Sequence, residues 1–438
     1  MEKINRDEDQ EDKARLWLES DRVNTLILGT GYGKSRVAML ILQELFNSGE
    51  LTKNSKILLL SNSERLRDTS WKDDFNKWGF NWIWDIVRTE CYQTVYKWEE
   101  SDWDFVIADE IDFSITEEYV KFFGNNQYSM LLGLTGYVAE SKRSLLDSIA
   151  PILVEYSTQD AQEDGLLNQT QITFISFDLS QNKTDIEVKY KKNGKEMSFT
   201  QSENDAYDYA ENQCNILWGK LDALNKDPDV SLGLDSEKIA ERNKISYKLK
   251  RAQAQRKDIL YNSKASVQTA KDLIELLLKH PDNKIITFSA LTDQADRINE
   301  ITYHGKNKKV NFDVLEKLSE GKIRSVGVCK AINRGENIMG LNSLIQESYD
   351  GSTTQFTQKH GRGTRLNPNE VMNMYIFLPF YYKKVKSPEN HGGNTHVRRP
   401  TQAVKWAEDM LSDFKVNNPI FVRKGVGKND WRRDFSKT

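Results

Sequence analysis

The sequence predicts an α/β fold with two tandem doubly wound parallel sheets, separated by a hairpin and a helical arm and followed by a small C-terminal extension. Short apolar runs typical of buried parallel strands alternate with helical patterns over roughly the first 150 residues. A second series of the same kind begins near Val267. Because strands that alternate with helices form parallel sheets covered on both faces, each series predicts one domain.

The composition is typical of a globular protein. Of 438 residues, 38% are apolar and 29% are charged, and this length favours two or three domains. No apolar run approaches the ~20 residues of a membrane span, and the charged N-terminus lacks the apolar stretch of a signal peptide. Cys91, Cys214 and Cys329 form no metal-site or disulfide pattern, which favours a reducing cytosol.

The first series begins with a predicted helix over residues 8–20, which carries Gln10. A buried strand ends at Leu28, and the apolar spacing after it predicts a helix over Arg36–Leu45. Later in the series, residues 82–98 are predicted as a strand followed by a helix. The remaining strands of this series are predicted at residues 56–60, 105–108 and 130–137.

The middle of the chain is polar. A strand is predicted at Ile172–Leu179, and a hairpin at Asp185–Thr200 with its turn at Asn193 and Gly194. Residues 203–262 are predicted to be helical with a break at 228–233, and the second half of this segment is basic. Such a helix is either a solvated arm or a nucleic-acid contact, and both interpretations stay open.

The second series has a predicted helix over residues 267–279 and strands at 284–290 and 326–329. The last segment, from Tyr381, carries 13 Lys and Arg against 6 Asp and Glu, an excess of 7 positive charges, and is either a solvated tail or a nucleic-acid contact surface. The predicted domain boundaries are 1–155, 156–265, 266–380 and 381–438.

The segment between Thr25 and Val37 predicts a phosphate-binding loop, because a strand, a glycine-rich turn, Lys-Ser and a helix follow one another. Thr30, Gly31 and Gly33 would turn backbone N–H groups towards phosphate oxygens at the positive end of the helix. In this motif the lysine, Lys34, reaches the β- and γ-phosphates, and the hydroxyl of Ser35 holds Mg²⁺. Leu28 stands where the motif has its first glycine.

Two further clusters complete this chemistry. Asp109 and Glu110 follow a buried strand, where Asp109 would hold Mg²⁺ and Glu110 would polarise the attacking water. Gln358, Arg362 and Arg365 lie in the pattern Q-x-x-G-R-x-x-R. Arginines of this kind stabilise the charge that develops on a transferred γ-phosphate.

The ordered set GTGYGKS, DEID, LTGY, NRGEN and QKHGRGTR resembles the motifs of superfamily 2 helicases. The segment YSTQDAQEDGLL is similar to the interdomain segment of UvsW-, RecG- and restriction-translocase-like members, which include phage enzymes. The resemblance implies two RecA-like domains with ATP in the cleft and nucleic acid running across both.

By motif match, the resemblance implies roles for individual residues. Asp112 completes the DEAD-type box, and Thr135 is the residue of motif III. Gly335 and Asn337 occupy motif V and are assigned to nucleotide binding. Gln10 corresponds to the upstream glutamine that reads adenine, although the usual aromatic residue is missing. Tyr137 stands where the family has a second threonine.

These observations predict a monomeric ATP- and Mg²⁺-dependent DNA helicase or translocase acting on branched DNA, in the cytoplasm of a bacterium or a phage-infected host. An RNA helicase is the first alternative, which the resemblance of DEID to the DEAD box favours; a requirement for the 2′-hydroxyl would identify it. The second alternative is an ATPase subunit that gates a partner nuclease, and unwinding by the purified chain would exclude it.

Overall fold

The structure is a computed structural model that describes residues 5–62, 70–192, 195–305, 312–329, 338, 340–347, 371–386, 394–413 and 419–424. The described residues divide into two compact units. The first unit contains the described residues of 5–170 together with 338, 340–342, 371 and 372, and the second contains those of 171–329, 343–347 and 373–424.

The strands and helices alternate through both units, as the apolar pattern predicts. The strands are β1 (Val23–Leu28), β2 (Ile57–Ser61), β3 (Val87–Cys91), β4 (Asp102–Asp109), β5 (Gln127–Thr135), β6 (Ile152–Tyr156), β7 (Gln169–Asp178), β8 (Ile186–Lys192), β9 (Lys195–Gln201), β10 (Ile285–Phe288), β11 (Thr302–His304), β12 (Ser325–Cys329), β13 (Ser343–Gln346), β14 (Val371–Lys386), β15 (Asn394–Pro400) and β16 (Ile420–Arg423).

The helices are α1 (Arg6–Leu18), α2 (Lys34–Asn47), α3 (Trp71–Lys77), α4 (Asn81–Trp84), α5 (Tyr92–Val95), α6 (Lys121–Asn125), α7 (Glu140–Asp147), α8 (Thr158–Glu163), α9 (Glu203–Asn225), α10 (Pro228–Ser231), α11 (Ser236–Tyr261), α12 (Lys264–Leu277), α13 (Thr292–Ile298), α14 (Phe312–Ser319) and α15 (Gln402–Asp413). None of these helices is long and apolar enough to cross a membrane.

The sheet of the first unit has the strand order β3-β2-β4-β5-β1-β6, and its neighbouring strands run parallel. Successive side chains of β1 face opposite sides: Leu26 and Leu28 belong to the core under α1 and α2, and Ile27 belongs to the core on the other face. A strand buried on both faces reads as a continuous apolar run, which is why the sequence predicted β1.

The same parallel arrangement brings three chain segments to one edge of this sheet. The carboxyl ends of β1, β5 and β4 are neighbours, because Ile27 pairs with Thr135 and Leu134 pairs with Asp109. In open α/β sheets ligands bind at this edge.

The second unit has the strand order β11-β12-β10-β13-β14-β7-β16, with β15 antiparallel to β14. Helix α12 packs its apolar face, which includes Leu273 and Leu277, onto strand residues such as Ile285 and Ile345. Strand β7, from the predicted linker, and strands β15 and β16, from the predicted extension, thus belong to the sheet of the second unit. The fold class is confirmed: each unit is built on a sheet whose neighbouring strands are largely parallel.

Candidate nucleotide-binding site

The predicted phosphate-binding loop connects β1 to α2, the arrangement that the motif requires. Gly31 and Gly33 have φ angles of 92° and 104°, in the left-handed region that favours glycine. A Cβ atom at Gly33 would lie only 2.5 Å from Nε2 of Gln10. Leu28, at the position of the motif's first glycine, is the last residue of β1 and is fully buried. The side chain of Leu28 therefore packs in the core, and the left-handed conformations of the turn are adopted by Gly31 and Gly33.

Helix α1 holds the loop from one side. Arg6 Nη2 donates to the carbonyl oxygens of Gly31 at 2.8 Å and Tyr32 at 2.7 Å. Gln10 Nε2 donates to the same oxygen of Tyr32 at 2.7 Å, and Gln10 is only 3% exposed. These donors satisfy carbonyl groups that the turn removes from regular backbone pairing. Gln10 thus contacts the predicted loop; its role towards adenine stays a prediction.

The side chain of Tyr32 gives α1 a second attachment to the loop. Its hydroxyl donates to Oδ2 of Asp9, and its ring packs edge-on against Tyr156 at 5.4 Å. Burial raises the pKa of Tyr32 well above its usual value, and the bond to Asp9 adds to this effect. The pKa of Arg6 is lowered, chiefly because burial disfavours its charged form. Both shifts reflect the closeness of α1 to the loop.

Asp109 is held in place by two aromatic donors. It ends β4 and is 7% exposed. Trp71 Nε1 donates to Oδ2 of Asp109 at 2.9 Å, and the hydroxyl of Tyr92 donates to its backbone oxygen at 2.9 Å. These bonds fix the orientation of a carboxylate that the sequence predicts to hold Mg²⁺.

Glu110 takes an uncommon backbone conformation next to the loop lysine. Its φ and ψ angles are 52° and 51°, a left-handed geometry that costs a residue other than glycine on the order of 1 kcal/mol or more. Oε1 of Glu110 lies 3.9 Å from Nζ of Lys34. The structure therefore brings the predicted water-polarising residue to the predicted phosphate-binding lysine.

Strand β5 links the acidic box to the loop. Thr135 Oγ1 donates to Oδ1 of Asp112 at 2.8 Å, and Lys142 Nζ donates to the backbone oxygen of Asp112 at 2.5 Å. The next residue, Gly136, packs so close to the loop that a Cβ atom would lie 2.9 Å from Thr30 Oγ1 and 3.5 Å from Lys34 Nζ. A movement of the loop, of the end of β5 or of the acidic box would therefore displace atoms of the other two segments.

The donor set fits a phosphate group together with a divalent cation. The N-terminus of α2 and Lys34 supply positive charge, and the hydroxyl of Ser35 and the carboxylate of Asp109 are oxygen ligands of the kind that Mg²⁺ takes. No group of three or more His, Cys, Asp or Glu suited to a metal occurs among the described residues. Few protein ligands are typical of Mg²⁺ bound with a nucleotide, because phosphate oxygens and water complete the coordination.

Five of the predicted site residues lie outside the described residues, namely Gly335, Asn337, Gln358, Arg362 and Arg365. Conversely, Arg6, Trp71 and Tyr92 contact the site and were not predicted. Arg6 could have been found from its position one turn before Gln10 on the same helix. The bond from Trp71 to Asp109 joins residues 38 apart and has no local signal.

Comparison with known proteins supports one part of this interpretation directly. Residues 268–367 match the family model of the helicase conserved C-terminal domain. The match covers 100 of the 438 residues and lies within the second predicted α/β series. No curated protein sequence is detectably similar to the chain.

Solved structures of an RNA-bound yeast protein and of two restriction proteins share the fold. Saccharomyces cerevisiae Dbp5 bound to RNA and ADP BeF3 has a TM-score of 0.55 at 11% identity, over 98% of this chain and 92% of that one. The restriction-modification enzyme LlaBIII bound to DNA has a TM-score of 0.53 at 13% identity, over 100% of this chain and 32% of the enzyme. An HsdR subunit fragment of a type I restriction enzyme from Vibrio vulnificus YJ016 has a TM-score of 0.50 at 14% identity, over 83% of this chain and 62% of the fragment.

Proposed function

We propose that the protein is an ATP-dependent nucleic-acid helicase or translocase that acts on DNA, with branched DNA as its preferred substrate. The main support for the proposal is that Lys34 and Glu110 lie close together beside a loop in which glycines adopt left-handed φ angles. The same chain also contains a segment that matches a helicase-family domain. In this proposal the first unit supplies residues for nucleotide hydrolysis. The helicase-family domain couples the hydrolysis to movement along the nucleic acid or to strand separation.

Each candidate residue of the loop and of the neighbouring strand end has its own role in this proposal. Lys34 and the N-terminus of α2 bind the phosphates, and Ser35 and Asp109 hold Mg²⁺, which neutralises charge on the phosphate oxygens. Glu110 orients the attacking water and accepts its proton. Trp71 and Arg6 do not touch the reacting atoms; they position Asp109 and the loop.

Arg362 and Arg365 are proposed to stabilise the charge that develops on the γ-phosphate, with Gln358 beside them. Gly335 and Asn337 are proposed to contact the nucleotide. These residues come from the second series of the chain, more than 200 residues after Lys34. Closure of two domains on the nucleotide is the proposed link between nucleic-acid contact and hydrolysis.

DNA is the proposed substrate because of the segment YSTQDAQEDGLL, which resembles that of restriction-translocase-like proteins. Two of the structural neighbours are restriction enzymes, and one of them is bound to DNA. The alternative of an RNA helicase is favoured by the DEID sequence and by the likeness to Dbp5, which is bound to RNA. Contacts to the sugar-phosphate backbone carry no sequence information, so we expect low sequence specificity in either case.

The test is ATP turnover by the purified chain with single-stranded DNA, duplex, fork, four-way junction and RNA of matched sequence, alongside strand separation of the same substrates. We expect the fork or the junction to stimulate turnover most and to be unwound. Lys34→Ala serves as the matched inactive control. Stimulation by RNA alone would identify the RNA helicase, and turnover without unwinding of any substrate would favour the ATPase subunit. Absence of turnover with every substrate would refute the proposal.

A further inference from the structure

The second unit carries an arm made of two long antiparallel helices, α9 and α11. Cys214 of α9 packs against Leu249 and Ala252 of α11, and Arg256 pairs with Glu211 at 2.5 Å in a largely buried ion pair. The arm therefore has an inner side, which holds the two helices together, and outer sides that face solvent.

The two helices of the arm differ in charge. Helix α9 has five Asp and Glu and one Lys, whereas residues 242–257 of α11 have seven Lys and Arg and no acidic residue. Arg256 is the member of this basic set that the inner side uses. The other cations are not needed to join the helices, so the strong excess of positive charge on α11 calls for another explanation.

Four exposed residues of α11 form one stripe along the helix: Lys244, Tyr247, Lys248 and Arg251. Their spacing of three, one and three residues places them on neighbouring turns of the same side. The ring of Tyr247 is 69% exposed. Within the part of the chain that the structure describes, the three cations of the stripe form no ion pair.

This stripe has the two components that a single-stranded nucleic acid requires. Cations neutralise phosphates, and an exposed aromatic ring gives a base a surface to stack on, which a base inside a duplex cannot use. At 1.5 Å per residue the stripe is about 10 Å long, enough for about three stacked nucleotides. We propose that the stripe binds the unpaired strand of the substrate, with Tyr247 against a base and Lys244, Lys248 and Arg251 on phosphates. This inference rests on the proposed function.

The experiment measures binding of a fluorescent oligothymidine and of a blunt duplex by anisotropy, across a series of salt concentrations. Tyr247→Ala should weaken binding of the single strand about 5- to 150-fold, the usual effect of losing one stacked base. Its salt dependence should stay that of the wild type, because no charge is lost. Tyr247→Phe should bind as the wild type does, since the ring remains.

The charge variant separates phosphate contact from stacking. Lys248→Gln combined with Arg251→Gln should reduce the slope of log affinity against log salt by about 1.4, since each contact to a single strand contributes about 0.7. Turnover of ATP without nucleic acid should not change in any arm variant.

Tyr209→Ala is the matched control, because Tyr209 is 59% exposed on the acidic helix of the same arm. Equal losses from Tyr247→Ala and Tyr209→Ala, an unchanged affinity of Tyr247→Ala, or an equal loss for the duplex would each overturn the inference while leaving the proposed function intact. A wild-type protein that binds no nucleic acid at any salt concentration would refute both.

Discussion

The bond between Trp71 and Asp109 offers a sharp test of the site. Trp71→Phe keeps an aromatic ring next to Phe75, whose centroid lies 6.2 Å away, but removes the N–H that donates to Asp109. Because Asp109 is 7% exposed and Trp71 is 3% exposed, water cannot easily replace the lost donor. A hydrogen bond to a charged group contributes about 1.5–3 kcal/mol, so we expect the free energy of unfolding to fall by about 2 kcal/mol. Urea denaturation monitored by circular dichroism measures this change.

The same variant should weaken metal binding, since Trp71 orients a predicted metal ligand from outside the coordination shell. Loss of such a partner typically costs 10- to 100-fold in metal affinity. Binding of Mn²⁺ in the presence of ADP, followed by electron paramagnetic resonance, measures this affinity without requiring turnover.

Trp84→Phe is the matched control for this prediction. The ring of Trp84 also contacts Phe75, at 5.4 Å, and its indole makes no hydrogen bond to any residue that the structure describes. We expect a smaller loss of stability and an unchanged Mn²⁺ affinity. If the two variants behave alike in both measurements, the bond from Trp71 does not position Asp109 and the reasoning is wrong.

Three further substitutions test the division of roles at the nucleotide. Lys34→Ala should abolish ATP turnover without lowering the melting temperature; turnover at the wild-type rate would reject the phosphate-binding assignment. Glu110→Gln should bind ATP normally in equilibrium dialysis but hydrolyse it slowly, and a parallel loss of affinity would contradict its role towards water. Arg365→Ala should keep ATP affinity within a modest factor, while turnover falls by roughly 10³–10⁵ and loses its stimulation by forked DNA. Retained stimulation would move the proposed cross-domain role to Arg362.

Local patterns predicted the elements whose signal lies within one segment. The helical segment is interrupted near the break predicted at 228–233, but residues 228–231 themselves form α10, and the non-helical residues are 226–227 and 232–235. Pro228 begins α10, a position that proline favours because the first turn needs no N–H donor from it. The hairpin of β8 and β9 is confirmed by its antiparallel register from Ile186–Gln201 to Lys192–Lys195. Its predicted turn, at Asn193 and Gly194, lies outside the described residues.

Elements fixed by distant contacts escaped prediction. Residues 82–84 were predicted as part of a strand, but they lie in α4, and β3 begins only at Val87. Trp82 packs edge-on against Phe46 of α2 at 4.9 Å, so tertiary packing overrides the strand preference of its ring. Strand β16 joins the second sheet by pairing Ile420 with Thr173, a contact that no local pattern reveals.

The residues of the candidate site also differ in whether a local sequence pattern could predict them. The sequence predicted Lys34, Asp109 and Glu110 as site residues, because phosphate and metal chemistry allow few residue types at these positions. It could not identify the groups that hold them. Donors such as Trp71 Nε1 and Arg6 Nη2 are recognised only when the fold brings them within hydrogen-bond distance of their acceptors.

The contacts of α1 have a consequence for how the loop meets a phosphate. A trans peptide is planar, so the N–H of one residue points away from the carbonyl oxygen of the residue before it. Arg6 and Gln10 draw the carbonyl of Tyr32 towards α1, and the N–H of Gly33 is therefore turned to the opposite side. A phosphate group that binds as proposed would meet a donor there, at the start of α2 and next to Lys34. Arg6 and Gln10, which lie 26 and 22 residues before Tyr32 in the chain, thus orient a backbone donor towards the proposed phosphate site.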